Sequence, residues 1–272
     1  MIAFAGNSLL CRLALKQTSI DAASFTSMRI FSGAIALWLI LRLRQRGDGA
    51  PLHGNWLSAF ALFAYAAAFS FAYLTLSAAT GALLLFGAVQ ATMIFWGLRK
   101  GESLQVRQLF GLTLALAGLV ALLLPGLSAP PLAGAILMLC AGVAWGIYSL
   151  RGRGTSDAIS ATTGNFLRAV PFAAALSVVL IPWMRFDQPG IVYAIMSGAI
   201  ASGAGYVIWY LALPSLKAAS AASVQLSVPV LAAVGGILLL GEPLTLRFVL
   251  ASIAVLGGIA LVVIAPRQKM SG

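Results

Sequence analysis

Apolar runs of about twenty residues alternate along this chain with short clusters of charge, glycine and proline, a rhythm that predicts helices rather than strands. A helix needs about 20 residues to cross a hydrocarbon layer about 30 Å thick. Nine runs fit: Ala22 to Leu43, Asn55 to Leu76, Ala78 to Leu98, Ser103 to Leu124, Leu132 to Leu150, Ala158 to Trp183, Gly190 to Leu213, Ala218 to Leu240, and Pro243 to Ala265. A tenth, Met1 to Leu15, reaches only about 22 Å and contains Arg12, so it reads as a first helix whose opening turns lie upstream. It lacks the basic start and small-residue cleavage site of a signal peptide.

Composition agrees with ten spans. Apolar side chains make up 61% of the 272 residues and charged ones 8%, against roughly one half and one quarter in soluble domains. Mean hydropathy is +1.00. No room is left for a soluble domain. The net charge of +11 would suggest nucleic acid in a soluble chain, but here the basic residues sit between apolar runs, where they orient helices. Cys11 and Cys140 lie inside apolar runs without CxxC spacing, and His53 lacks ligand partners at the usual spacings. No metal, cofactor or disulfide is therefore expected, and no nucleic acid.

The stretch from Tyr73 to Glu102 returns from Tyr210 to Glu242, with three residues gained near Pro214 to Lys217. Arg12 and Arg151, like Arg29 and Arg168, are 139 positions apart, so the duplication covers nearly the whole chain. Two units follow, 1–126 and 127–272. Five helices per unit is an odd number, so the second unit inserts in the opposite sense, an inverted repeat. Lys and Arg favour one set of connections eleven to four, which places both termini in the cytoplasm.

Arg29 and Arg168 are the two charges left over, each near the start of its unit's second helix. Either can snorkel or bond carbonyls, a structural role, or sit in a wet cavity. Glu102 and Glu242 stand where helices 5 and 10 begin and read as caps, with ion coupling as the other role. Tyr65, Phe69 and Tyr73 recur every four residues, and the positions matching Phe69 and Tyr73 are Tyr206 and Tyr210, beside Trp209. Such a stripe forms packing surface or a binding wall. Asn7, Gln90 and Gln225 are amides inside helices, where they bond either neighbouring helices or a substrate.

The Gly-Glu stops carry a resemblance. Gly101-Glu102-Ser103-Leu104 followed by Gly111 and Gly118, Gly241-Glu242-Pro243-Leu244 followed by Gly258, Pro229, and the Tyr73-Leu74-Thr75-Leu76 and Tyr210-Leu211-Ala212-Leu213 runs resemble the drug/metabolite transporter superfamily. The match is to its ten-helix EamA-like exporters. The resemblance implies a central cavity lined by helices 1, 3, 4, 6, 8 and 9, with helices 5 and 10 as supports. On this sequence the lining residues would be Asn7, Tyr65, Phe69, Tyr73, Phe86, Gln90, Trp145, Tyr148, Tyr206, Trp209 and Gln225. Arg29, Arg168, Glu102 and Glu242 would be structural or gating. Departures are Ala251 where Gly111 predicts glycine, Val89 opposite Pro229, and the short first helix. Small four-helix relatives use a first-helix Glu to expel cationic drugs, and this chain has none there.

The expectation is an exporter of neutral or aromatic amino acids in the inner membrane, with a small-molecule substrate and the bilayer as partners and the oligomeric state left open, a monomer being compatible. Rivals are a sugar-phosphate or drug carrier of the same fold, a membrane-embedded enzyme, and a non-transporting assembly subunit. An enzyme would need clustered His, Asp, Glu or Cys at membrane depth, which the sequence does not supply.

Overall fold

The computed structural model describes residues 1–44, 52–101, 104–126, 129–152, 155, 157–212 and 224–264, apart from the side chain of Tyr210. Among these residues the chain forms ten helices: α1 (Ile2–Gln17), α2 (Ala22–Arg44), α3 (Trp56–Ala72), α4 (Ala78–Arg99), α5 (Val106–Leu123), α6 (Leu132–Gly152), α7 (Ala158–Val179), α8, α9 (Ser227–Leu240) and α10 (Leu246–Ile264). α8 runs through three stretches: Gln188–Ile195, a π-helical Met196–Ala204, and Gly205–Ala212. Six helices (α2, α4, α5, α6, α8 and α10) are long and apolar enough to cross a bilayer, and α3 and α9 are apolar but shorter. Among the described residues the chain is all-helical, and these apolar helices make it a multi-pass membrane protein.

Helix starts follow capping chemistry. The side chains of Asn55, Ser77 and Asp157 accept the free N–H groups of Ser58, Thr80 and Ser160 at 2.8, 3.2 and 3.0 Å, satisfying donors that have no partner within the helix. The sequence reading needs correction at four edges. α3 stops at Ala72, where the chain turns back with Leu76 N–H on the Ala72 carbonyl. α7 ends at Val179, before a 3₁₀ turn at Ile181–Trp183 that carries Pro182. α5 begins at Val106, headed by Gln105, whose N–H donates to Gln108 Oε1 at 2.9 Å. α10 begins at Leu246, with Thr245 Oγ1 accepting from Phe248 N–H at 3.1 Å. Glu242 therefore does not cap α10, and Glu102 lies outside the described residues.

Helix packing sets where the core lies. α1 packs on α8 and α9, α6 on α3 and α4, α2 on α7 and α8, α3 on α7, and α4 on α9. α5 and α10 pair closely on the flank, at Gly111 and Gly258. A Cβ on Gly111 would come 2.5 Å from the Gly258 carbonyl, so only glycine permits that approach. Large apolar side chains such as Leu109, Phe110, Leu250 and Ile253 are exposed on this pair. Lipid rather than water suits that surface.

Candidate substrate site

Arg29 lies in the interior of the seam between α2, α3 and α8, only 2% exposed. Seven residues of α2 precede it, about 10 Å of helix, so its guanidinium is well below the helix end. Its Nη2 donates to Tyr65 Oη at 3.0 Å and its Nε to Ser202 Oγ at 3.4 Å. Nη1 is buried without a hydrogen-bond partner. The guanidinium carbon lies over the rings of Tyr65 and Phe69, 5.1 and 4.9 Å from their centroids. Asn7 extends the network: its Nδ2 donates to Tyr65 Oη at 3.2 Å, and its Oδ1 accepts from Ser197 Oγ.

The π-helical stretch makes this arrangement possible. On a regular α-helix, residues five apart point about 140° away from each other. Bonding from i to i+5 brings them round to one side, so Ser197 and Ser202 both reach the seam from α8. Gly198 lies between them. A side chain there would run into the Arg29 carbonyl and Ser32 Oγ, so α2 and α8 touch through it.

Rings continue the cluster in both directions. Tyr73 meets Phe69 edge-on at 4.7 Å, Phe69 lies 5.4 Å from Tyr65, and Tyr65 lies 4.8 Å from Trp145. Trp145 stacks on Tyr148 at 5.4 Å and contacts Tyr206 at 5.1 Å. Phe4 and Phe166 meet Tyr206 at 5.7 and 5.9 Å, and Trp209 meets Phe4 edge-on at 6.2 Å. Each such pair adds about 0.5–1.5 kcal/mol beyond its burial. The rings pack against one another, and Tyr65, Phe69, Tyr73, Tyr148 and Tyr206 are buried, so the cluster forms a buried seam.

The two ends of the bundle differ. At one end Glu242 is carried back toward α4 by the close of α9, where Gly241 takes a left-handed φ of 62° and Glu242 N–H reaches the Gly236 carbonyl at 3.0 Å. Glu242 Oε2 accepts Ala78 N–H at 2.8 Å, so it caps α4, while Oε1 accepts Arg12 Nε at 3.0 Å. Arg12 Nη1 also donates to the Tyr73 carbonyl at 2.8 Å. A cleft of about 290 Å³ opens beside this pair, lined also by Thr75, Thr80, Pro131 and Phe248. At the other end Arg44 pairs with Asp157 at 3.0 Å, Arg151 donates to Ser58 Oγ and Asn55 Oδ1 at 3.0 and 3.1 Å, and Arg168 donates to the His53 and Gly164 carbonyls. Asn55 N–H reaches Asn165 Oδ1 at 2.9 Å.

Of the residues singled out from sequence, Asn7, Tyr65, Phe69, Tyr73, Trp145, Tyr148, Tyr206 and Trp209 come together here. Phe86 is buried on α4. Gln90 lines a small void against α5 and α10, on the support side, and Gln225 is half-buried just ahead of α9. Arg29 joins the cluster and Arg168 does not. Ser197, Ser202, Phe4 and Phe166 were missed. The signal that could have found the serines was Arg29 itself, since an intramembrane cation requires polar partners. Among the described residues no group of three or more His, Cys, Asp or Glu could hold a metal ion.

Residues 132–264 match the model of the EamA-like transporter family. The chain is 60% identical to an uncharacterized protein of Pseudomonas aeruginosa, over 98% of this chain and 92% of that one. It is 26% identical to an uncharacterized transporter of Archaeoglobus fulgidus, over 89% and 87% of the two chains. The uncharacterized transporter YoaV of Bacillus subtilis is 20% identical over 86% and 85%. A solved crystal structure described only as that of a protein shares the fold, with a TM-score of 0.62 at 19% identity over 96% and 95% of the chains.

Proposed function

Given that this chain belongs to the EamA-like transporter family of the drug/metabolite transporter superfamily, we propose that it exports small metabolites, in particular neutral or aromatic amino acids, across the inner membrane. It works by alternating access, with units 1–126 and 127–272 rocking about a site at their seam. The observation that carries this reading is the convergence of hydroxyls, an amide and rings from α1, α3, α6 and α8 on one seam. Such groups bind a substrate without covalent chemistry.

The helix pairing supports an inverted repeat. Exchanging each helix for the one five later maps α1 on α8 to α6 on α3, α1 on α9 to α6 on α4, and α2 on α8 to α7 on α3; α2–α7, α5–α10 and α4–α9 map onto themselves. The end contacts fit alternation too. Arg12 and Lys16 meet Tyr73 and Leu240 carbonyls, and Asp21 meets Arg185, so odd-numbered connections gather at one end. By the charge bias that end faces away from the cytoplasm, as does the cleft. The opposite end, which carries Arg44–Asp157 and Arg151, is the cytoplasmic side.

Counterflow in proteoliposomes loaded with phenylalanine, leucine or tryptophan tests the reading. Accumulation of labelled amino acid above empty liposomes is expected, and no movement of any of them would remove the substrate assignment. A sugar-phosphate carrier would need more than one cation at the seam. Among the described residues the cluster holds Arg29, while Arg168 bonds carbonyls at the rim.

A further inference from the structure

We propose that Arg29 anchors the carboxylate of the transported molecule, so that the seam takes a small monocarboxylate with an apolar or aromatic body. The inference rests on the exporter reading and names the chemistry of its substrate.

A guanidinium 2% exposed at membrane depth is expensive, about 3 kcal/mol on insertion scales, unless something answers its charge. Nothing anionic in the protein does so among the described residues. Asp157 pairs with Arg44 and Glu242 with Arg12, while Asp21 and Asp187 take backbone N–H groups of Arg185 and Ser19. Arg29 instead meets two neutral hydroxyls, Tyr65 and Ser202, and the rings of Tyr65 and Phe69, which fix its orientation and offset its charge only in part. Its Nη1 keeps both N–H bonds unused. A guanidinium offers five donors in a planar fork that suits a carboxylate held by two bonds.

The surroundings select what hangs from that carboxylate. Tyr65 and Phe69 lie against the guanidinium, and Nη1 is the donor nitrogen left without a partner for an incoming anion. Trp145 and Tyr206 lie beyond Tyr65 and supply a ring-lined wall for an apolar body. Asn7 and Ser197 add neutral polar groups. Among the described residues a dianionic phosphate would lack a second cation at the cluster, and a cationic drug would meet like charge.

Four compounds with the same ring separate the possibilities: phenylalanine, 3-phenylpropionate, phenylalaninamide and phenethylamine. With the full-length protein in detergent, the thermal midpoint is followed against the concentration of each. The two carboxylates should raise the midpoint at far lower concentration than the amide and the amine. Phenylalanine and 3-phenylpropionate acting alike would mean that the carboxylate suffices; phenylalanine acting alone would add the ammonium to an anchor that still needs the acid. Arg29→Gln should weaken carboxylate binding about 30-fold while narrowing the acid-to-amide preference, as expected when one partner of a buried charged contact is removed. Arg29→Lys, which keeps the charge and loses the fork, should weaken it less and retain the preference. A merely structural arginine would lower all four ligands together. The anchor is overturned if no carboxylate shifts the native protein, if acid and amide bind alike, or if Arg29→Gln keeps the preference. Preference without counterflow would uphold the anchor and reject export; counterflow unchanged in Arg29→Gln would reject the anchor and keep export.

Discussion

Arg29 and Arg168 occupy matching positions in the two halves of the chain and end in different surroundings. Arg29 is buried between Tyr65 and Ser202, while Arg168 is only half-buried and bonded to the carbonyls of Gly164, one turn back on its own helix, and His53. Applying the offset that relates Tyr73 to Tyr210 pairs Tyr65 with Ser202. One arginine has thus taken hydroxyls from equivalent places in both halves. A seam between two copies has room for one guanidinium, and duplication supplies two. The second is relieved at the rim, where backbone carbonyls and water offset its charge at little cost.

The strongest way to break this comparison is to substitute the pair one at a time. Arg29→Ala should lower counterflow about 30-fold or more, and Arg168→Ala should leave it within about threefold, since a partly exposed arginine on carbonyls contributes under about 1 kcal/mol. Equal losses would show that the two positions are equivalent. Glu242→Ala comes next. It removes Arg12's ion-pair partner and the acceptor of Ala78 N–H at once, and should cost about 2 kcal/mol in thermal unfolding, as for loss of hydrogen bonds to a charged group.

Glycines sharpen the contrast between seam and outer face. Gly198→Ala drives a methyl into the Arg29 carbonyl and should cost about 1–3 kcal/mol. Gly257→Ala on α10 meets nothing within 4 Å and should be neutral or stabilising by about 0.5 kcal/mol. A comparably small effect belongs to the Arg44–Asp157 contact, where Arg44→Ala should cost under about 1 kcal/mol. Partial burial pushes the Asp157 carboxyl up, but the Ser160 N–H and the Arg44 guanidinium outweigh it and hold the group below its usual 3.8. Its contribution is therefore present above pH 3.8 and is lost only as pH falls through that lowered value. A transition midpoint measured from pH 7 down to 4 should not change through this contact.

Helix number and most edges were legible because bilayer thickness fixes run length, and because Asn55, Ser77 and Asp157 are chemically recognisable caps. The ring cluster was legible too: a four-residue spacing places Tyr65, Phe69 and Tyr73 on one side of α3. Tertiary geometry hid the rest. The stretch Met196–Ala204 reads as small-residue packing, and nothing in its composition announces a π-helical winding that turns two serines inward. Glu242 has the sequence signature of a cap for the helix that follows it. The left-handed turn at Gly241 swings it onto α4 instead. Gln90 has the same amide as Asn7, and only the position of α5 and α10 shows that it faces the supports. Arg29 and Arg168 look alike in sequence because the difference between them lies in what the other half of the chain brings near.

The central claim is that the buried seam around Arg29 is the substrate's route. In a background where Cys11 and Cys140 are replaced, Ser202→Cys would be labelled with a membrane-impermeant thiol reagent in right-side-out and inside-out vesicles, with and without phenylalanine. The account predicts labelling from both sides and slower labelling in the presence of the amino acid. A thiol that no reagent reaches from either side, while the same protein catalyses counterflow, would contradict it.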